Sequence, residues 1–131
     1  MKNFNNNIKI RITNNNINYL DAFKFMQKQV DDILYHHGKE LIWFLNHDHV
    51  YTCGTSANKN EIINKTSTPI IQTNRGGKTT YHGPGQRIVY LMINLNKKKR
   101  DIRKFVNLIE QSVISLLKEL DIEATTFNDR V

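Results

Sequence analysis

The segment that most constrains this chain is residues 75–86, RGGKTTYHGPGQ, which gathers four of the six glycines and one of the two prolines into twelve residues. Gly76 and Gly77 lack a Cβ, so the main chain there can reach positive φ and a ligand can approach the backbone closely. The Gly83-Pro84-Gly85 run reverses the chain before the next strand. Between the two glycine clusters stand Lys78, Thr79, Thr80, Tyr81 and His82, with Arg75 in front. A plain connector needs only the turns. The guanidinium, hydroxyl, phenol and imidazole groups crowded between them point to a binding loop, whose open backbone donors suit an acyl or carboxamide group. The spacing matches neither G-x-x-x-x-G-K-[ST] nor G-x-G-x-x-G, so neither nucleotide fingerprint is present.

At 131 residues the chain can bury one core, and residues 1–131 are expected to form a single domain. The lone Cys53 excludes an internal disulfide framework and fits a reducing compartment, so the expected location is cytoplasmic. No apolar run is long enough to span a bilayer, and no membrane association is expected. The net charge of +7 is partly clustered at Lys97, Lys98, Lys99, Arg100, Arg103 and Lys104. Such a cluster is either a solvated helix start or a rim that attracts phosphate or an acidic protein. No nucleic-acid motif and no interleaved aromatic run accompany it, which argues against nucleic acid.

In chain order, Asn5-Asn6-Asn7 and Asn14-Asn15-Asn16 read as exposed turns around a short strand with Ile8, Ile10 and Ile12 on one face. From Asn18, a candidate N-cap, the period turns helical, with Tyr19, Phe23, Met26, Val30, Ile33 and Leu34 as the core stripe and Gly38 as the stop. His36 and His37 sit where a helix C-terminus favours a cation. Residues 40–46 and 49–53 read as strands. His47-x-His49 could place two imidazoles on one side of a strand, but no third or fourth ligand stands near, so no metal is expected. Cys53, among apolar residues, reads as inert packing and not as a nucleophile. Residues 58–64 read as a loop or one helical turn, and Pro69 opens a strand over 70–73. Residues 88–95 are almost uninterruptedly apolar, the pattern of a central strand buried on both faces. Asp101 then caps a helix whose Ile102, Phe105, Val106, Ile109, Val113, Leu116, Leu117 and Leu120 recur at three and four. Two helices and about five strands make an α/β domain with a mixed sheet.

RGGKTTYHGPGQ, preceded by PIIQTN and followed by RIVYLMINL, resembles the signature of the octanoyltransferases of lipoate biosynthesis, and the similarity runs from about Leu41 to Ala124. The resemblance implies the fold of the biotin and lipoate protein ligases. It also implies transfer of an octanoyl group from octanoyl-acyl carrier protein to a lysine of a lipoyl domain, of a 2-oxoacid dehydrogenase complex or of the glycine cleavage H protein. It makes Arg75, Gly76, Gly77, Lys78, Thr79, Thr80, Tyr81 and His82 a substrate-binding wall and calls for no cofactor. Relatives tend to carry His-x-Pro-Val-aromatic-Thr-x-Gly upstream, where this chain has His49 in place of the proline. The family's catalytic lysine and nucleophilic cysteine are expected beyond Val131, so no residue here is expected to be catalytic. There the lysine ammonium lowers the thiol's pKa, and the thiolate attacks the octanoyl thioester. Two alternatives stay open: a non-catalytic fragment that binds acyl groups or their carrier, and an ATP-dependent lipoate or biotin protein ligase. Lipoate ligases, however, tend to carry Gly-Gly-Gly and Tyr-His-Asp where this chain has Tyr81-His82-Gly83.

Overall fold

The computed structural model describes residues 8–64, 66–98 and 100–127 and divides into two compact units, Met1–Ile93 and Asn94–Val131. The first unit runs β1 (Ile8–Ile17), α1 (Tyr19–Tyr35), β2 (Glu40–His47), β3 (Val50–Cys53), a 3-10 turn (Lys59–Glu61), β4 (Ile70–Gln72), β5 (Thr79–His82) and β6 (Ile88–Met92). The second holds a 3-10 turn (Leu95–Lys98) and α2 (Ile102–Glu119). The architecture is mixed α/β, as the sequence leads one to expect. The strands form two three-stranded sheets, β1-β2-β6 and β4-β3-β5, each containing one parallel and one antiparallel pair.

The sheet around β2 carries the core. Leu41, Trp43 and Leu45 are buried and pack with Met92 of β6 and with Ala22 and Ile33 of α1. Trp43, 2% exposed, donates from Nε1 to Thr13 Oγ1 at 2.9 Å, and the Arg11 guanidinium lies 4.7 Å from its ring centroid and 4.6 Å from that of Phe25. The Arg11 stem thus covers apolar rings while its charge gains a cation–π contact.

Several expectations change. β1 continues through Asn14–16, which were expected to turn: their side chains are exposed, but Asn16 and Ile17 pair with Asn46 and His47 after a register shift that follows Ile12. Such a bulge lets a strand absorb extra residues without leaving the sheet. The other run, Asn5-Asn6-Asn7, lies outside the described residues. In α1 the Asn18 cap is in place, its Oδ1 accepting from Leu20 N at 2.9 Å and Asp21 N at 3.4 Å. The buried face is Tyr19, Ala22 and Ile33 with Phe25 and Met26 against it, while Val30 and Leu34 of the expected stripe are exposed. The helix stops with the amides of His36 and Gly38 both donating to Asp32 O, at 3.0 and 2.8 Å. The residue that turns to positive φ is His37. Gly38 is needed for a different reason, since a Cβ there would lie 2.9 Å from the Asp32 carbonyl.

β6 is not the central strand that its apolar run suggested. β2 stands in the middle of the sheet, Val89 is 43% exposed, and the strand ends at Met92. Just beyond, Asn94 Oδ1 accepts from Asn96 N at 3.0 Å and opens the 3-10 turn. In the second unit α2 begins at its expected cap, Asp101 Oδ1 accepting from Lys104 N at 2.9 Å, and none of its side chains is buried. Of the basic cluster, Arg100, Arg103 and Lys104 are exposed; Lys99 and the side chains of Lys97 and Lys98 lie outside the described residues.

Candidate functional site: a glycine-rich bend beside a histidine–tyrosine cluster

The segment expected to be a continuous loop contains a strand. β5, Thr-Thr-Tyr-His, pairs antiparallel with β3 from Cys53–Thr79 to Val50–His82. Its β-branched and aromatic residues favour a pleated, half-buried surface, and this outweighs the turn signals on either side. After β5 the chain reverses over 83–86, where Gln86 N donates to Gly83 O at 3.1 Å. Pro84 and Gly85, the latter at φ 84°, take the central positions that a type II turn requires.

Before β5 the chain bends over 73–78, and there the carbonyls point inward. Arg75 O accepts from Thr55 N at 2.9 Å, Gly77 O from Ser56 N at 3.1 Å, and Lys78 O from Gly54 N at 3.4 Å. Gly76 O accepts from Arg75 Nη1 at 2.9 Å. Residue 54 must be glycine for this contact, because a Cβ would stand 2.2 Å from Gly77 O. All peptide bonds described are trans, so each amide faces away from the carbonyl that precedes it. The N–H groups of Gly76, Gly77 and Lys78 are therefore turned to the opposite side, where no acceptor among the described residues meets them. The next amide in the row, Thr79 N, donates to Glu61 Oε2 at 2.8 Å. That hydrogen bond is the main cause holding the Glu61 carboxyl below its ordinary pKa. An oxygen can thus reach this side of the bend.

Next to the bend the topology assembles four rings. His47, the last residue of β2 and fully buried, bonds through Nδ1 to Ile17 O at 2.8 Å and through Nε2 to the Tyr90 hydroxyl at 2.8 Å. A carbonyl can only accept, so Nδ1 carries the proton and Tyr90 donates to Nε2. His82 lies 5.7 Å from His47 between ring centroids and stacks on Tyr19 at 6.3 Å, while Tyr19 and His47 are 5.4 Å apart. Burial is the first cause lowering the pKa of both histidines; for His82 the neighbouring His47 and Arg75 add to it, against a side-chain hydrogen bond with Gln86. Burial likewise pushes the Tyr19 and Tyr90 hydroxyls up, opposed by the Arg75 charge. All four groups are neutral near pH 7. His82 Nδ1 is buried with no hydrogen-bond partner.

Of the residues singled out from sequence, His82 joins this cluster, and Gly76, Gly77, Lys78 and Thr79 form the amide row. The Arg75 guanidinium is engaged with the protein's own oxygens, at 2.8–2.9 Å from Thr52 O, Thr52 Oγ1, Lys78 O and Gly76 O. Tyr81 pairs with His49 through its hydroxyl, and the Thr80 carbonyl accepts from Thr52 Oγ1. His47 and His49 thus go to different partners. Cys53 is buried, 3.5 Å from Thr79 Oγ1. Tyr19, His47 and Tyr90 were not singled out for this site: the period assigned Tyr19 to the core, His47 was weighed only against a metal, and Tyr90 sat unremarked in an apolar strand. The one local signal was a polar-tipped ring at each of these otherwise apolar positions.

Two grooves border the bend. One of about 250 Å³ is lined by Tyr19, Leu20, Phe23, Ile71, Thr73 and Asn74. The other, about 630 Å³, includes Cys53, Ile62, Ile63, Ile70 and Thr79. Taken together, the described residues offer open donors for an acyl oxygen, apolar walls, and one unsatisfied imidazole nitrogen.

Residues 18–130 match the profile of the lipoyl protein ligase A/B catalytic domain. An octanoyltransferase of Bartonella henselae is 39% identical over 124 residues, covering 95% of this chain and 51% of its own length. One from Wolbachia sp. subsp. Brugia malayi is 43% identical over 116 residues, with 88% of this chain and 56% of its own covered. One from Zymomonas mobilis is 40% identical over 124 residues, with 95% and 57% covered. The chain spans about half the length of the curated relatives it matches.

Proposed function

This chain belongs to the lipoyl protein ligase A/B catalytic domain family, and we propose that it supplies the acyl-recognition wall for octanoyl transfer from octanoyl-acyl carrier protein to a lysine of a lipoyl domain. The observation that carries this is the row of amides at Gly76, Gly77 and Lys78, which meet no acceptor among the described residues, in a bend whose Thr73 and Asn74 share a groove with Tyr19. The thioester oxygen accepts from the row, and the same donors favour the negative charge that develops on that oxygen when the carbonyl is attacked. The octanoyl chain lies in the groove between Tyr19, Phe23 and Ile71, which touches the bend at Thr73 and Asn74. His82 Nδ1 meets a polar group of the bound thioester or of the incoming amine. Lipoyl domains of 2-oxoacid dehydrogenase complexes and the glycine cleavage H protein are the acceptors, in the cytoplasm, and the net charge of +7 steers an acidic carrier protein.

Calorimetric titration with octanoyl-acyl carrier protein tests this. Leu20 and Ile63, 48% and 89% exposed, line different grooves, so neither substitution should disturb folding. Leu20→Arg is expected to weaken binding at least tenfold and Ile63→Arg to leave it unchanged. Absence of binding by the unaltered chain, or the reverse order of the two variants, overturns the assignment. Formation of an acyl-adenylate from ATP and octanoate would point instead to a ligase.

A further inference from the structure

Arg75 is the residue of the bend that a sequence reading most readily gives to substrate, since a guanidinium is a good ligand for an acyl oxygen or a carboxylate. Its surroundings say otherwise. Nη1 donates to Gly76 O at 2.9 Å, and Nη2 reaches Thr52 O at 2.8 Å, Thr52 Oγ1 at 2.9 Å and Lys78 O at 2.9 Å. Nη2 carries two hydrogens and already faces three acceptors, so it has none to spare. Thr52 is a fixed anchor: fully buried in β3, opposite Thr80 of β5, with its hydroxyl directed to Thr80 O. We infer that Arg75 is a positioning residue and not a substrate ligand: by holding the carbonyls of Gly76 and Lys78 against Thr52, it turns the amides that follow them, of Gly77 and Thr79, to the outer side of the bend, where that of Gly77 is open to an acyl oxygen.

The consequence follows from peptide geometry. A peptide plane that rotates about its flanking bonds exchanges the side its carbonyl faces with the side its amide faces. In a glycine pair such rotation meets little steric resistance, so the sequence alone does not fix which group faces the ligand. The guanidinium fixes it, because a flipped peptide would strand a charged donor with no acceptor, at a cost larger than that of one neutral hydrogen bond. A lysine cannot replace it, since an ammonium is a point charge and cannot span four oxygens spread over three residues. This role rests on the acyl-recognition reading for its purpose but not for its geometry.

Nuclear magnetic resonance on the ¹⁵N-labelled chain separates the possibilities, with octanoyl-acyl carrier protein as ligand and Thr52→Val and Arg75→Lys as variants. Thr52→Val keeps the volume but removes one oxygen from Arg75. In the free chain both variants are expected to shift most the amide resonance of Gly77, whose peptide plane the guanidinium holds, and with it those of its neighbours Gly76 and Lys78. On titration of the unaltered chain the ligand moves those amides and leaves the Arg75 Nε–H resonance in place. Thr52→Val weakens binding roughly tenfold, the size of losing one hydrogen bond to a charged group, and Arg75→Lys does not restore it. An Arg75 Nε–H that shifts with ligand, together with a Thr52→Val variant that binds normally, overturns the inference. If the carrier protein does not bind at all, the acyl reading falls, and the free-chain resonances of the two variants still decide the role of Arg75: unmoved amides reject it.

Discussion

The β1-β2-β6 sheet buries Leu41, Trp43, Leu45 and Met92 with the apolar side of α1, whereas the β4-β3-β5 sheet buries Val50, Thr52 and Cys53 and is closed over its far end by the hydrogen bonds of Arg75 and of the amides of residues 54–56. In the first sheet stability comes from area removed from water, which is non-directional and tolerates repacking. In the second, each bond has one donor and one acceptor at a set angle, so a single change alters direction as well as energy. A recognition surface needs the second kind of construction, because it must present groups to a ligand and not only exclude water. The His47–Tyr90 bond belongs to both kinds: it ends the apolar row of β2 and starts the polar cluster.

The largest expected effect on this contrast comes from Trp43→Ala, which should cost ~3–5 kcal/mol in urea unfolding, while Ile70→Ala, at a residue 50% exposed in the β4-β3-β5 sheet, should change stability by less than about 1 kcal/mol. Equal losses at the two positions would break the comparison. Gly54→Ala comes next: its Cβ would stand 2.2 Å from Gly77 O, so the bend must move, at ~1–3 kcal/mol in melting experiments and with loss of octanoyl-acyl carrier protein binding. Smaller is the response to acid. His47 and His82 have pKa values lowered by burial, so below the ordinary histidine value of about 6.5 the unfolded chain binds more protons than the folded one. Stability should therefore fall as pH drops from about 7 toward 5. His47→Gln should flatten that slope of melting temperature against pH, and an unchanged slope would detach the cluster from the fold. The smallest effect belongs to Glu61→Gln. The carboxylate contact to Thr79 is present above the ordinary carboxyl pKa and lost as pH falls through the depressed one. At pH 7 the substitution should leave the melting temperature nearly unchanged and slightly tighten octanoyl-acyl carrier protein binding, as measured by calorimetry.

Local patterns made the starts of both helices and the apolar strand β2 legible. The caps at Asn18 and Asp101 and the apolar run of β2 are each written within a few residues, and each is found in place. What failed were features decided by partners far along the chain. Residues 14–16 look like a turn until β2 supplies main-chain partners for Asn16 and Ile17. Thr79–His82 looks like loop because the glycine turns on either side outweigh its three strand formers, until β3 pairs with it. The bend was legible as a motif, but the inward direction of its carbonyls was not, since that depends on residues 52–56. The His47–Tyr90 bond spans 43 positions, and no local period reports it.

The central claim is that the amides of Gly76, Gly77 and Lys78 face outward to receive an acyl oxygen, and amide hydrogen exchange resolved by residue tests it most directly. The free chain is expected to exchange at these three positions near the unprotected rate, with Thr79 slower because Glu61 holds it, and octanoyl-acyl carrier protein should slow the first three at least tenfold. Protection of Gly76, Gly77 and Lys78 already in the free chain, unaltered by the carrier protein, would contradict the account.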